Sequence, residues 1–163
     1  MMALPQKHFL ALLVWCLLLG AIYLAIDAAG SPKVVSPATG TEIRIPRSAD
    51  GHFYLSGRIN GLAVDFLVDT GATTVSVGED TAARIGLPQG RPVTVGTANG
   101  SITAAESAGH TLSIGSLTVR DVRVITLPRH RGPALLGQNV LRHLDVTQMS
   151  DVMVLRARSS TPG

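Results

Sequence analysis

Most of the chain after residue 51 consists of short runs of alternating hydrophobic and polar residues with turn signals between them. Residues 52–59 (HFYLSGRI) and 62–70 (LAVDFLVDT) flank Asn60-Gly61, and an Asn-Gly pair between two such runs favours a two-residue β-hairpin. The same pattern recurs around Asn99-Gly100, which predicts a second hairpin made of residues 92–98 and 101–107.

Two short helices and further strands complete the predicted fold. Acidic residues begin the segment 79–87 and Gly86 ends it, which is typical of a short helix, and residues 137–144 predict another. The remaining strands are predicted over residues 110–127, with a turn at Gly115-Ser116, and over residues 145–149 and 152–158, which form a closing hairpin. Short strands at this spacing predict a mainly β fold, a small closed barrel with one or two short helices.

The N-terminal part has a different pattern. Phe9 to Ile26 is a run of 18 residues without a charge, close to the roughly 20 that a membrane-spanning helix needs. A cleaved signal peptide is the alternative, but its apolar region is usually about 7–15 residues long and ends at small residues. Tyr23 or Asp27 occupies one of the critical positions in the nearest cleavage sites. We therefore predict an uncleaved signal anchor, a transmembrane helix, over residues 1–26.

Three further segments follow this helix. Residues 27–50 are rich in Ala, Ser, Pro and Gly with little periodicity, which predicts a linker with an edge strand at Glu42–Ile45. Residues 51–158 form the β domain, and residues 159–163 form a flexible tail. Lys7 precedes the apolar helix, whereas the first basic residue after it is Lys33, so the positive-inside rule places the domain on the non-cytoplasmic side.

Composition excludes several classes of function. A length of 163 residues favours one domain, and Cys16 is the only cysteine, so the domain has neither a disulfide nor a thiolate metal site. After residue 26 there are 13 basic and 11 acidic residues and three aromatic residues, without a strong basic cluster, which argues against nucleic acid as a partner. The five histidines show no ligand spacing, and we predict neither a metal nor any other cofactor.

The candidate chemistry lies in the segment Val64–Asp80, VDFLVDTGATTVSVGED. Asp69 follows an apolar strand, and Thr70-Gly71-Ala72 lead from it into a β-branched run. A carboxylate in that place is either a turn residue or a catalyst. Asp65 would share the face of Asp69 if the strand alternates, and its simplest interpretation is an exposed strand residue.

The arrangement resembles the retropepsin-like aspartic proteases, in particular their membrane-anchored bacterial members. Three elements carry the resemblance: the Asp69-Thr70-Gly71-Ala72 loop, a glycine-bearing hairpin, and two leucines with a glycine before a short helix. The resemblance implies that Asp69 is catalytic and that the following three residues position it. It further implies a flap formed by Gly96, Thr97, Ala98, Asn99, Gly100 and Ser101, and support of the active loop by Leu135, Leu136 and Gly137.

The chain carries a single Asp-Thr-Gly motif, so one chain supplies half of a site and the resemblance implies a homodimer. Two carboxylates about 3 Å apart cannot both ionise, so they share a proton and activate a water against a peptide bond. The expected function is an aspartic endopeptidase that acts on a protein or peptide substrate from the periplasmic side of the inner membrane. The alternative is a membrane-anchored, non-catalytic β module that binds a peptide or an envelope protein.

Overall fold

The computed structural model describes residues 14–22, 33–35, 42–97 and 100–158 of the chain. The chain divides into two compact units, residues 1–31 and 32–163. In the first unit, residues 14–22 form a helix, α1, whose large hydrophobic side chains are exposed. No helix among the described residues is long and apolar enough to cross a membrane, and the other residues of the predicted transmembrane helix lie outside the described ranges.

The second unit consists of short strands with two short helices. Its elements are β1 (Lys33–Val35), β2 (Glu42–Pro46), β3 (Tyr54–Ile59), β4 (Leu62–Val68), β5 (Val75–Gly78), α2 (Glu79–Arg84), β6 (Arg91–Thr97), β7 (Gly100–Ile114), β8 (Leu117–Leu127), β9 (Ala134–Leu136), α3 (Gln138–Leu141), β10 (Leu144–Gln148) and β11 (Val152–Ala157). The predicted mainly β fold with short helices is confirmed. The second helix is shorter than predicted, because β10 already begins at Leu144.

Six strands close into a barrel. Their order is β8-β5-β9-β4-β3-β7, and β7 pairs with β8 to complete the ring. β1 pairs with the outer side of β8, and β6 pairs with β7, so both lie outside the ring. Two parallel pairs, β4 with β9 and β5 with β8, bring the ends of distant segments to one place in the barrel. That place is where Asp69 leaves β4.

The β3–β4 hairpin forms as its sequence predicts. Asn60 (φ 51°) and Gly61 (φ 84°) both adopt the left-handed conformation that a type I′ turn requires. Burial alternates along β4, with Val64, Phe66 and Val68 in the core. Phe66 is completely buried, and burial of its ring stabilises the folded state by roughly 1.5–3 kcal/mol relative to an exposed ring.

The second hairpin differs from its prediction in two respects. Thr97 pairs with Gly100, whereas a two-residue turn at Asn99-Gly100 would pair Thr97 with Ile102; residues 98 and 99 lie outside the described ranges. In addition, residues 101–107 and 110–114 belong to one strand, β7, and not to two. The sequence indicates a break there because Gly109 (φ 81°) lies in a β-bulge, which bends the strand without ending it.

His110 lies buried beside that bulge. The Thr111 backbone N–H donates to Asn60 Oδ1 (3.0 Å), which fixes the amide so that Asn60 Nδ2 faces His110 Nδ1 (3.0 Å). Nδ1 therefore accepts, and Nε2 is left to donate to Ser107 Oγ (2.8 Å). Burial lowers the pKa of the His110 imidazole below its usual value. The neutral ring thus joins the first hairpin turn to the bulge of β7.

A separate three-stranded sheet has the order β10-β11-β2. The predicted closing hairpin is present as β10 and β11. β2 includes the predicted strand Glu42–Ile45 but pairs along its full length with β11, and Arg156 donates to Glu42 Oε2 (2.6 Å). β1 and β2 lie within the segment that the sequence predicts as a linker, and their backbone groups pair with β8 and β11.

Candidate active site

Asp69 lies at the end of β4, directly beside the end of β9. The two strands run parallel, with Val68 opposite Leu136, and the Asp69 N–H donates to the Leu136 carbonyl (3.2 Å). The side chain is half-buried, whereas the next two residues are exposed. The apolar residues that precede Asp69 therefore anchor its backbone in the barrel, and its carboxylate lies at the surface of that core.

The loop after Asp69 holds the carboxylate in place. The Gly71 N–H donates to Asp69 Oδ1 (2.9 Å), and the Ala72 N–H donates to the Asp69 carbonyl (3.3 Å). A backbone donor of this kind orients the carboxylate. The Asp-Thr-Gly-Ala loop therefore fixes the plane of the Asp69 carboxylate.

The start of α3 supports this loop from the other side. The Gln138 N–H donates to the Ala72 carbonyl (2.8 Å), and the Gln138 side-chain Nε2 donates to the Thr70 carbonyl (3.0 Å). Gly137 packs so closely that a Cβ there would lie 2.6 Å from Thr74 C and 2.9 Å from the Ala72 carbonyl oxygen. Only glycine fits between these backbones.

Asn139 joins the same loop to the barrel. Its side chain is buried; Oδ1 accepts from the Val75 N–H (2.9 Å), and Nδ2 donates to the Arg123 carbonyl (2.9 Å). The amide thus satisfies one backbone group of β5 and one of β8. This role is not predicted above, although a polar amide within the largely apolar segment 134–141 is a signal for it.

A cavity of about 650 Å³ opens beside Asp69. Its wall is formed in part by the loop of residues 69–72 (the active loop) and by the strands β6, β8 and β9. The described residues that line it are Asp69, Gly71, Ala72, Thr73, Thr74, Ser76, Val93, Thr94, Val95, Gly96, Thr97, Glu106, Ile125, Leu127 and Leu135. This volume is in the range of pockets that bind small molecules or peptide side chains.

One face of the β6–β7 hairpin forms a wall of the cavity. Paired residues of antiparallel strands project to the same side, and alternate positions share a face. Val93, Val95 and Thr97 on β6 therefore share their face with Glu106 on β7, which pairs with Arg91. These four cavity residues give the wall two aliphatic side chains, a hydroxyl and one carboxylate.

The predicted site residues are for the most part close together. Asp69, Gly71, Ala72, Gly96, Thr97 and Leu135 line the cavity, and Leu136 and Gly137 contact the Asp69 loop from below. Gly100 and Ser101 lie on β7 outside the cavity wall, and Ala98 and Asn99 lie outside the described residues. Thr70 is exposed, and its hydroxyl makes no hydrogen bond to any described residue.

Asp65 lies on the outer face of β4. It is exposed and accepts a hydrogen bond from Ser56 Oγ (2.7 Å). Across the described ranges, no group of three or more His, Cys, Asp or Glu side chains is placed to hold a metal ion.

Comparison with protein families gives a match over most of the β domain. A family model described as "gag-polyprotein putative aspartyl protease" matches residues 55–143, which include Asp69, the β6–β7 hairpin and the Leu135-Leu136-Gly137 segment. Among solved structures, the chain is similar to the crystal structure of a retropepsin-like aspartic protease from Rickettsia conorii, with a TM-score of 0.63 and 28% sequence identity. That match covers 77% of this chain and 92% of the solved one.

Two curated relatives are similar in sequence. "Uncharacterized protein in cobV 5'region" from Sinorhizobium sp is 31% identical over 133 residues, which cover 78% of this chain and 57% of that protein. "Uncharacterized protein RP867" from Rickettsia prowazekii (strain Madrid E) is 36% identical over 78 residues, which cover 46% of this chain and 34% of that protein. The chain therefore matches 57% and 34% of the lengths of these two relatives.

Proposed function

Because the chain belongs to the retropepsin-like aspartic protease family, we propose that it is an aspartic endopeptidase whose two catalytic carboxylates are Asp69 of each subunit of a homodimer. The observation that supports this proposal best is the Asp69 carboxylate, held by the Gly71 N–H at the edge of a cavity of about 650 Å³.

The proposed reaction uses the shared proton of the two carboxylates. The ionised carboxylate takes a proton from a water between them, and the water oxygen attacks the carbonyl carbon of the peptide bond. The protonated carboxyl donates its proton to the carbonyl oxygen. The resulting gem-diol intermediate then collapses: the carboxyl that took the proton from water donates it to the amine nitrogen, one hydroxyl of the intermediate returns its proton to the other carboxylate, and the C–N bond breaks to release a free carboxyl group and a free amine.

Two features of a single chain, together with the symmetry of a dimer, support a shared site. The chain has one Asp-Thr-Gly motif, so it brings one such carboxylate. Thr70 is exposed beside Asp69 and its hydroxyl is available to a second copy of the same loop. In an isologous dimer the same loop approaches itself across a two-fold axis, which brings both Asp69 side chains together.

Mixed dimers test the shared site. Wild-type chains mixed with an equal amount of Asp69→Asn chains should form wild-type homodimers in only about a quarter of all dimers, because subunits pair at random. Activity per wild-type chain should therefore fall to about half, measured after the subunits have exchanged. Asp65→Asn chains, which keep Asp69, serve as the control, and their mixture with wild-type chains should keep the full activity per total chain. A complete site within one chain predicts no loss of activity per wild-type chain in the Asp69→Asn mixture.

We also propose that residues 1–26 anchor the enzyme in the inner membrane with the β domain in the periplasm, on the basis of the uncharged run Phe9–Ile26 and Lys7 before it. A reporter enzyme that functions only outside the cytoplasm, fused after Gly163, should be active. The same fusion lacking residues 1–26 should be inactive. An inactive full-length fusion would contradict this orientation.

A further inference from the structure

Glu106 is a carboxylate in the cavity wall that the proposed reaction does not use. It lies at the base of the β6–β7 hairpin, on the face that also carries Val93 and Val95. Its side chain is 12% exposed, and Oε2 forms an ion pair with Arg91 Nη2. The Oε1 atom accepts no hydrogen bond from any described residue.

The backbone around Glu106 is fixed. On one side Glu106 pairs with Arg91 of β6, and on the other with Ile125 of β8, which is buried and lines the same cavity. Gly90 (φ 69°) packs against it so closely that a Cβ there would lie 2.4 Å from the Glu106 carbonyl oxygen. The carboxylate is therefore held at a defined place in the wall.

The two partners of the ion pair differ in their exposure. The Arg91 side chain is 70% exposed, whereas that of Glu106 is largely shielded from water. A long exposed side chain is held weakly by one ion pair, but a shielded carboxylate requires a cationic partner. Arg91 can therefore leave, provided that another cation takes its place at Glu106.

The charge of the cavity has one sign. Among the described residues that line it, Asp69 and Glu106 carry a formal charge, and both are acidic. In a low-dielectric cleft this arrangement attracts a cationic side chain and repels an anionic one.

We propose that Glu106 determines specificity: it binds a Lys or Arg side chain of the peptide substrate, and in the free enzyme Arg91 occupies the place of that side chain. This inference rests on the proposed peptidase function. A peptide bound beside Asp69 would extend along the β6–β7 wall. One basic side chain of the peptide would pair with Glu106, and the adjacent side chains of the peptide would fill the space next to Val93 and Val95. The substrate class is thus a polypeptide with a basic residue near the cleaved bond.

The test compares paired peptides that differ at one position, with Lys in one and the uncharged, similarly long norleucine in the other. At one position of the peptide, the full-length protein in detergent should cleave the Lys peptide with a kcat/KM roughly tenfold higher than that of the norleucine peptide. This is the size of effect expected of a charge-assisted hydrogen bond. Glu106→Gln, which keeps the shape of the side chain, should reduce the Lys-to-norleucine ratio to within about twofold.

Two further variants distinguish a role of Glu106 in substrate specificity from a purely structural ion pair with Arg91. Arg91→Gln removes the internal competitor, so the Lys-to-norleucine ratio should rise, whereas Glu106→Asp keeps the charge and should keep a preference for Lys. A ratio unchanged in Glu106→Gln, or lost in Arg91→Gln, would overturn the inference. If Glu106→Gln fails to fold, Arg91→Gln is the test: a rise in the Lys-to-norleucine ratio supports the role of Glu106, and loss of the preference for Lys overturns it.

Peptide binding in the Asp69→Asn background distinguishes failure of the inference from failure of the proposed function. Asp69→Asn should bind the Lys peptide more tightly than the norleucine peptide by fluorescence anisotropy, and the added Glu106→Gln change should remove that difference. Absence of cleavage by the wild type with this binding preference intact would contradict the peptidase and leave Glu106 as a recognition residue. Equal binding of both peptides would overturn the role of Glu106.

Discussion

Asp69→Asn should reduce peptide cleavage by at least about 10³-fold, because it removes both the general base and the shared proton of the proposed mechanism. The amide is almost the same size as the carboxylate, and its Oδ1 can still accept from the Gly71 N–H, so the loop should keep its shape. The measurement is kcat/KM on a peptide library, with the thermal midpoint of each variant as the check that the fold is intact.

Asp65→Asn is the matched control, since it makes the same chemical change four residues earlier on the outer face of β4. It should cleave at close to the wild-type rate. Cleavage that survives in Asp69→Asn would contradict the assignment of the catalytic residue. If neither the wild type nor either variant cleaves any peptide, the result would favour the non-catalytic module that binds a peptide or an envelope protein.

Gly137→Ala should destabilise the domain by about 3 kcal/mol or more, since its Cβ would lie within 2.9 Å of three backbone atoms. Backbone of Ala72 and Thr74 cannot move aside without breaking the hydrogen bonds from α3 that hold the active loop. We therefore expect the free energy of unfolding and the activity to fall together. Urea denaturation followed by circular dichroism measures the first, and peptide cleavage the second.

Gly96→Ala is the control for Gly137→Ala. Gly96 lies on β6 without a positive φ, and no atom is within 4 Å of a Cβ built there. Its free energy of unfolding should stay within about 1 kcal/mol of the wild type, or rise slightly because alanine restricts the unfolded chain. A Gly137→Ala domain as stable as the Gly96→Ala domain would show that the packing of the active loop is looser than the structure implies.

The sequence predicts local features of this fold well. Asn60-Gly61 specifies its turn because both residues accept the left-handed conformation, and the alternation of β4 specifies which side chains enter the core. Gly86 (φ 63°) follows α2 as predicted from the helix-ending glycine. Each of these features depends on residues that are neighbours in sequence, and so the pattern alone is sufficient.

Long-range features were not predictable in the same way. The bulge at Gly109 has the composition of a turn, and only the pairing of β7 with β8 on both sides of it shows one continuous strand. Asn139 bridges Val75 and Arg123, which are far from it in sequence. Glu106 is one acidic residue among 11, and its place in the cavity follows only from the pairing of β6, β7 and β8.

The pairing of β2 with β11 determines the order in which the domain can fold. Glu42 and Arg156, which are hydrogen-bonded partners, are 114 positions apart in the sequence. A contact between such distant segments costs considerable loop-closure entropy and usually slows folding. During synthesis β2 leaves the ribosome long before its partner exists, so its edge stays unpaired until the last residues of the domain emerge. Folding of this domain is therefore completed only after translation has reached its final strand.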